Sequence, residues 1–223
     1  MGLLAIDDLR LELDGRTLLD GVSLAIGAGE VLALVGPSGC GKSMTALAVA
    51  GLPPPGARLS GRIRLAGRDL LALGERDMDA VRGADIGLVF QEPATALNPL
   101  MRARAQVAEL FEAHGRARGR AAHDAAEAAL AAVGLEGLGG RFPHQLSGGQ
   151  RQRVAIALAT ALGPRLVIAD EATSALDVLA QAAVLDLLAG QARARGSALL
   201  VITHDLAVAG RWADRIAVIA GGR

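Results

Sequence analysis

The sequence predicts an α/β fold built on a mainly parallel sheet, and three observations carry that reading. Short apolar runs recur at Val31–Val35, Leu166–Ala169 and Ala198–Ile202, as strands buried on both faces do. Helical patterns separate such runs, the alternation that β-α-β crossovers produce. One stretch, about residues 93–160, contains no strand signal and reads as a helical subdomain inserted into the alternation. A chain of 223 residues holds one core of this kind with an insert. Residues 1–223 are therefore read as a single domain.

Taken in order, Leu3–Leu13 and Val22–Ile26 alternate loosely and flank an Asp14-Gly15 turn, the pattern of an antiparallel hairpin. Val31–Val35 is a buried strand, followed by a glycine-rich turn and a helix over about Lys42–Ala50. Pro53, Pro54, Pro55 and Gly56 break the chain. Arg62–Leu65 and Ile86–Phe90 read as strands. The helical block includes an alanine-rich helix near Ala121–Val133, preceded by an arginine- and glycine-rich loop at Gly115–Arg120, and a helical stretch over Arg151–Ala161. Leu166–Ala169, Leu199–Thr203 and Arg215–Ile219 are further strands, with a helix at Val178–Arg195 between the first two.

Composition removes several classes of function. The 23 basic and 23 acidic residues balance, so no strong field invites nucleic acid or an acidic membrane surface. No apolar run approaches the ~20 residues of a membrane helix. Asp7, Asp8 and Arg10 follow Met1 too closely for a secretory signal. The single cysteine, Cys40, excludes an internal disulfide and a multi-cysteine zinc site. A soluble cytoplasmic protein is expected, one that reaches a membrane only through partners. Of the 23 basic residues only Lys42 is lysine. Lysine is a compact point charge where arginine is a broad plane, so position 42 reads as a site that demands the former.

Lys42 lies in Gly36-Pro37-Ser38-Gly39-Cys40-Gly41-Lys42-Ser43, which fits the phosphate-binding loop between a strand and a helix. Glycines let backbone N–H groups turn inward around phosphate oxygens, and the helix N-terminus adds its positive end. Lys42 then reaches the terminal phosphates, the Ser43 hydroxyl joins a Mg²⁺ shell, and Met44 follows in the helix's first turn. The plainer alternative is a ligand-free turn. Leu166-Val167-Ile168-Ala169-Asp170-Glu171 is an apolar strand ending in two carboxylates. Asp170 can hold Mg²⁺ through water and Glu171 can polarise an attacking water, although acidic residues after a strand often serve as helix caps.

A second anion site is expected where Leu146-Ser147-Gly148-Gly149-Gln150 opens a helix; a plain N-cap is the alternative. Two phosphate-binding surfaces in one small domain suggest two copies sharing nucleotide. Gln91 and His204 each follow a predicted strand, where α/β sheets place ligands, and are read as contacts to the terminal phosphate, the attacking water or the metal. Capping roles are the alternative for both. Cys40 reads as a buried structural thiol. His114, His123 and His144 show no metal-like grouping.

These motifs occur in the order and approximate spacing of a known family. The whole chain resembles the nucleotide-binding domain of ABC transporters: the loop at Gly36, Phe90-Gln91-Glu92, the signature Leu146–Gln150, Asp170-Glu171, Ser174-Ala175-Leu176-Asp177 and His204. The resemblance implies a P-loop NTPase (RecA-like) core with an N-terminal antiparallel β subdomain. It also implies a sandwich in which the Ser147 loop and Asp177 of one domain close on MgATP held by the other. A finer resemblance is to ATPases of the dipeptide, oligopeptide and nickel importers, carried by Val89 to Leu100, Arg141 to Leu146, and Leu176-Asp177-Val178 with Gln181. It implies a second ATPase subunit, the same or paralogous, two integral membrane permeases and an extracytoplasmic solute-binding protein. The implied location is the cytoplasmic face of the inner membrane.

Three features depart from the family pattern. Leu13 stands where an aromatic residue usually stacks on adenine. Ala172 replaces a usual proline after the catalytic glutamate. The chain stops at Arg223, where relatives continue, so it is either short or a fragment. A DNA-repair or translation ATPase is the alternative function, but no coiled coil, zinc module or basic patch supports it. A GTPase would need an Asn-Lys-x-Asp motif, which a chain with one lysine at position 42 lacks.

Overall fold

The computed structural model describes residues 2–90, 96–172 and 178–223. Strand β1 (Leu4–Leu13) returns as β2 (Arg16–Ile26) through Asp14 and Gly15. Both turn residues have positive φ, 49° and 73°, the two-residue geometry whose twist matches paired strands. Leu13 lies opposite Arg16 and Leu4 opposite Ile26. Strand β2 thus begins at Arg16 and not at Val22, because hairpin register extends pairing through a polar stretch that lacks alternation. Strand β4 (Arg58–Leu65) and the short β5 (Arg68–Asp69) complete an antiparallel sheet ordered β2-β1-β4-β5.

Strand β3 (Val31–Val35) leads into α1 (Lys42–Val49). After α2 (Glu75–Val81) and β6 (Ile86–Val89) the described residues include the helices α3 (Ala103–Ala113), α4 (Arg120–Ala131) and α5 (Gly148–Thr160). Among the described residues, strand β7 (Leu166–Asp170), α6 (Val178–Arg195), β8 (Ala198–Thr203), α7 (Leu206–Trp212) and β9 (Arg215–Val218) follow. The sequence did not announce α2, α7 or β5. Helix α7 spans only two turns and rests on its cap, where the Asp205 carboxylate accepts from the N–H groups of Ala207 (2.8 Å) and Val208 (3.4 Å). Among the described residues no helix is long and apolar enough to cross a membrane.

The parallel sheet runs β6-β7-β8-β3-β9 and divides the core. Val167, Ala169, Leu199 and Val201 pack on one face with Val107, Ala126, Leu130 and Ile156 of the helices. Leu166, Ile168, Leu200 and Ile202 pack on the other with α1 and the inner face of the antiparallel sheet. Alternation with period two produces the division. Parallel register then sets Val35 beside Thr203, Asp170 beside Ile202 and Val89 beside Ala169. The loops leaving these strands therefore emerge along one edge, where open α/β sheets place ligands.

Candidate functional site

Residues 36–43 leave β3 at that edge and curl into α1. Gly36 passes so near the end of β9 that a Cβ would lie 2.2 Å from the Ile219 carbonyl oxygen. Only glycine lets the loop start its turn there. Helix α1 has Gly41 at its cap, no side-chain cap bond and no acidic residue in its first turn. Its leading N–H groups and positive end are left for an external anion. Lys42 is 5% exposed, and its Nζ donates to the carbonyls of Gly36 (2.8 Å) and Pro37 (3.0 Å). The ammonium is thereby folded into the loop. A cleft of about 330 Å³ opens above it, lined in part by Leu18, Gly39, Ser43, Met44 and Glu171.

The Ser43 hydroxyl donates to Oδ1 of Asp170 at 3.1 Å, joining the loop to the end of β7. Burial pushes the Asp170 carboxyl up from its usual range; the Ser43 bond and the Lys42 charge pull it down, and Glu171 adds to the rise. The next residue, Glu171, has φ of 45°, a left-handed backbone that costs a non-glycine residue about 1–3 kcal/mol and concentrates at functional sites. Its N–H donates to the Ile202 carbonyl at 3.0 Å. Its Oε1 lies 3.5 Å from Nδ1 of His204. The last residue of β7, the residue after it and the residue after β8 thus stand close together beside the cleft, which Glu171 lines. Gln91, Thr173, Ser174 and Asp177 lie outside the described residues.

Ser43 and Asp170 offer a hydroxyl and a carboxylate, oxygen donors suited to a hard cation such as Mg²⁺. Among the described residues no group of three His, Cys, Asp or Glu could hold a metal by itself. The donor set fits an ion that shares its remaining ligands with phosphate and water, which is how Mg²⁺ is usually held in nucleotide sites.

The second predicted loop is not among the residues that line the cleft. Ser147 caps α5 in a capping box: its hydroxyl accepts from Gln150 N–H (3.2 Å), and its own N–H donates to Gln150 Oε1 (2.9 Å). A Cβ at Gly148 or Gly149 would meet nothing within 4 Å. This chain's own packing therefore gives no reason for glycine at either position. Leu13 is half-buried at the end of β1, packed on the core; the apolar wall of the cleft is Leu18 with Met44. Leu18 was invisible in the sequence because its position depends on the hairpin pairing of β2. Cys40 is buried and free, as a structural thiol. His144 stacks on Phe142, which Arg102 also covers.

A family model described as ABC transporter matches residues 19–174. The chain belongs to the ABC transporter family. It is 45% identical over 229 residues to the oligopeptide transport ATP-binding protein OppD of Mycobacterium tuberculosis, covering 99% of this chain and 37% of that relative. It is 47% identical over 210 residues to the peptidoglycan transport ATP-binding protein YejF of Agrobacterium fabrum, covering 92% of this chain and 38% of the relative. The chain spans 37% to 64% of the length of the curated ABC relatives it matches. A solved ATP-binding cassette, dimeric in a post-hydrolysis state with ADP and Pi, superposes with a TM-score of 0.86 at 31% identity, covering 98% of this chain and 95% of that one. The N-terminal antiparallel sheet and the parallel core are thus those of an ABC cassette.

Proposed function

We propose that this chain is the ATP-hydrolysing subunit of an ABC importer, with a peptide as cargo. The observation that carries the reading is the Ser43–Asp170 bond beside the Glu171–His204 pair, at the open end of an uncapped α1. In this reading Lys42 exchanges its loop carbonyls for the β- and γ-phosphates, and the N–H groups of residues 38–43 wrap the triphosphate. Ser43 and Asp170 would hold Mg²⁺, which would supply positive charge to offset that of the phosphates. Glu171 orients the attacking water and accepts its proton. His204 steadies Glu171 and the γ-phosphate, and Gln91 completes the metal and water contacts.

Ser147, Gly148, Gly149 and Gln150 act on nucleotide held by a second ATPase subunit, the same or paralogous, and Asp177 lies along that junction. Open space at both glycines supports a partner's phosphate approaching there. Two permeases would carry the ATPase pair on the cytoplasmic face of the inner membrane, fed by a solute-binding protein. The OppD and YejF names favour peptide-like cargo over nickel, and transport over DNA repair or translation.

Phosphate release from MgATP, measured against protein concentration, tests this. The rate per molecule is expected to rise with concentration or with added partner subunits. A fully active, concentration-independent monomer would overturn the two-subunit site, and absence of hydrolysis with all subunits present would overturn the ATPase reading.

A further inference from the structure

Beyond β9 the chain makes a tight turn, with Ala220 and Arg223 exchanging backbone hydrogen bonds of 2.9 and 3.1 Å. The turn touches no surface of the cleft, yet it is wedged against the outer side of the phosphate loop. Ile219 N–H donates to the Val35 carbonyl at 2.9 Å, and the Ile219 carbonyl fills the space under Gly36. Gly222 is buried between two elements. Its N–H donates to the Cys40 carbonyl at 3.1 Å, and its carbonyl accepts from Asp20 N–H at 2.7 Å. The Arg223 guanidinium clasps the Asp20 carboxylate, its Nε at 2.8 Å.

The bond to Cys40 bears on what the cleft can do. Within one planar trans peptide unit, C=O and N–H point in opposite directions. The carbonyl of Cys40 and the N–H of Gly41 belong to the same unit. Pinning that carbonyl outward aims the Gly41 N–H inward, toward the space a phosphate would fill. The other arm, at Asp20, lies two residues from Leu18 in the cleft wall. One buried glycine thus ties the curvature of the phosphate loop to the strand that bounds the nucleotide.

We propose that Gly222 is a positioning residue for nucleotide binding: its turn brackets the phosphate loop to β2 and holds the loop in its phosphate-ready shape before nucleotide arrives. This rests on the nucleotide reading given above. Side chains do not fit at 222, where φ is 82° and a Cβ would lie 2.8 Å from the Leu18 carbonyl. Gly221 supplies the control, with a similarly left-handed φ of 57° but nothing within 4 Å of its Cβ.

The test is equilibrium titration of MgATP into the wild-type chain, Gly222→Ala and Gly221→Ala, with labelling of Cys40, the only thiol, as a second readout. A side chain at 222 is expected to displace the loop and raise the ATP Kd and KM about tenfold, or roughly 1.4 kcal/mol. The expected kcat stays within about twofold, since Glu171 is untouched. Cys40 in Gly222→Ala should react faster with a thiol reagent under conditions where the fold persists by circular dichroism, and Gly221→Ala should match wild type in both readouts. Equal rises in both variants would mean generic backbone strain and overturn the proposal, as would an unchanged Kd in Gly222→Ala. If Gly222→Ala does not fold, Arg223→Ala decides: a smaller rise in Kd, restored by Arg223→Lys, supports the bracket, and no rise sinks it. Failure of the wild-type chain to bind ATP would instead strike the nucleotide reading itself.

Discussion

The phosphate loop and the Ser147 turn are both glycine-rich entries to a helix, yet they are built in opposite ways. The first is enclosed by its own chain: Ile219 lies under Gly36, Lys42 is folded inward, and Ser43 is bonded to Asp170. The second is self-sufficient as a cap and otherwise open, with no neighbour where side chains of residues 148 and 149 would stand. An enclosed loop is preorganised by intramolecular contacts and can bind phosphate alone. An open one gains a ligand only when another surface brings it. Similar sequence signals therefore produce one enclosed loop and one open cap.

The largest expected effect tests the enclosed half. Glu171→Gln should keep ATP binding and lose hydrolysis by about 10²-fold or more, the scale of a lost general base. It should also accumulate as an ATP-bound dimer on a sizing column, and normal turnover in this variant would falsify the assignment. The open half is tested next by Ser147→Arg. ATP affinity should not change, whereas the rise of rate with protein concentration should vanish, because bulk at the cap blocks the partner's phosphate. Loss of binding in this variant would erase the contrast between the two loops.

A third measurement asks what the enclosed half reads. Its apolar wall is Leu18 and Met44, neither of them aromatic, and Leu13 packs against the same core cluster. Stacking on an aromatic side chain contributes about 1–3 kcal/mol per base in nucleic-acid binders. Without it, GTP should compete within about tenfold of ATP, or roughly 1.4 kcal/mol. Leu13→Tyr should tighten ATP more than GTP. Strong ATP preference in the wild-type chain would show that another group reads adenine.

The smallest effect concerns preorganisation itself. An acid whose folded pKa is raised destabilises the fold wherever it is ionised, and burial raises Asp170. Asp170→Asn should therefore stabilise the nucleotide-free chain by a few degrees in Tm, the scale of ~1 kcal/mol in a domain of this size. It should also remove the added stability that Mg²⁺ gives over ATP alone. A lower Tm in the nucleotide-free variant would show that the Ser43 bond outweighs the buried charge.

Much of the site was legible because each part sits directly after a strand. Apolar runs ending at Val35, Ala169 and Thr203 named the neighbourhoods of Lys42, Asp170 and His204, and parallel register brought them together. What stayed hidden depends on tertiary pairing. Leu18 faces the cleft only because β2 begins at Arg16, and Gly222 matters only because the turn after β9 folds back on Cys40. Helix α7 is too short for periodicity, and its signal was the single cap at Asp205.

The alternation along β7 has one more consequence. Even-numbered Leu166 and Ile168 face the side of α1, and odd-numbered Val167 and Ala169 face the helical block. Parity is thus an address. At the end of the strand it turns Asp170 toward Ser43 on α1, while the left-handed backbone of Glu171, just past the strand, turns the second carboxylate toward His204 after β8. Inserting one residue into β7 would turn Asp170 away from α1 while leaving the strand's composition nearly unchanged. Two adjacent and chemically similar acids thus meet different partners, one placed by counting along the strand and the other by the turn that ends it.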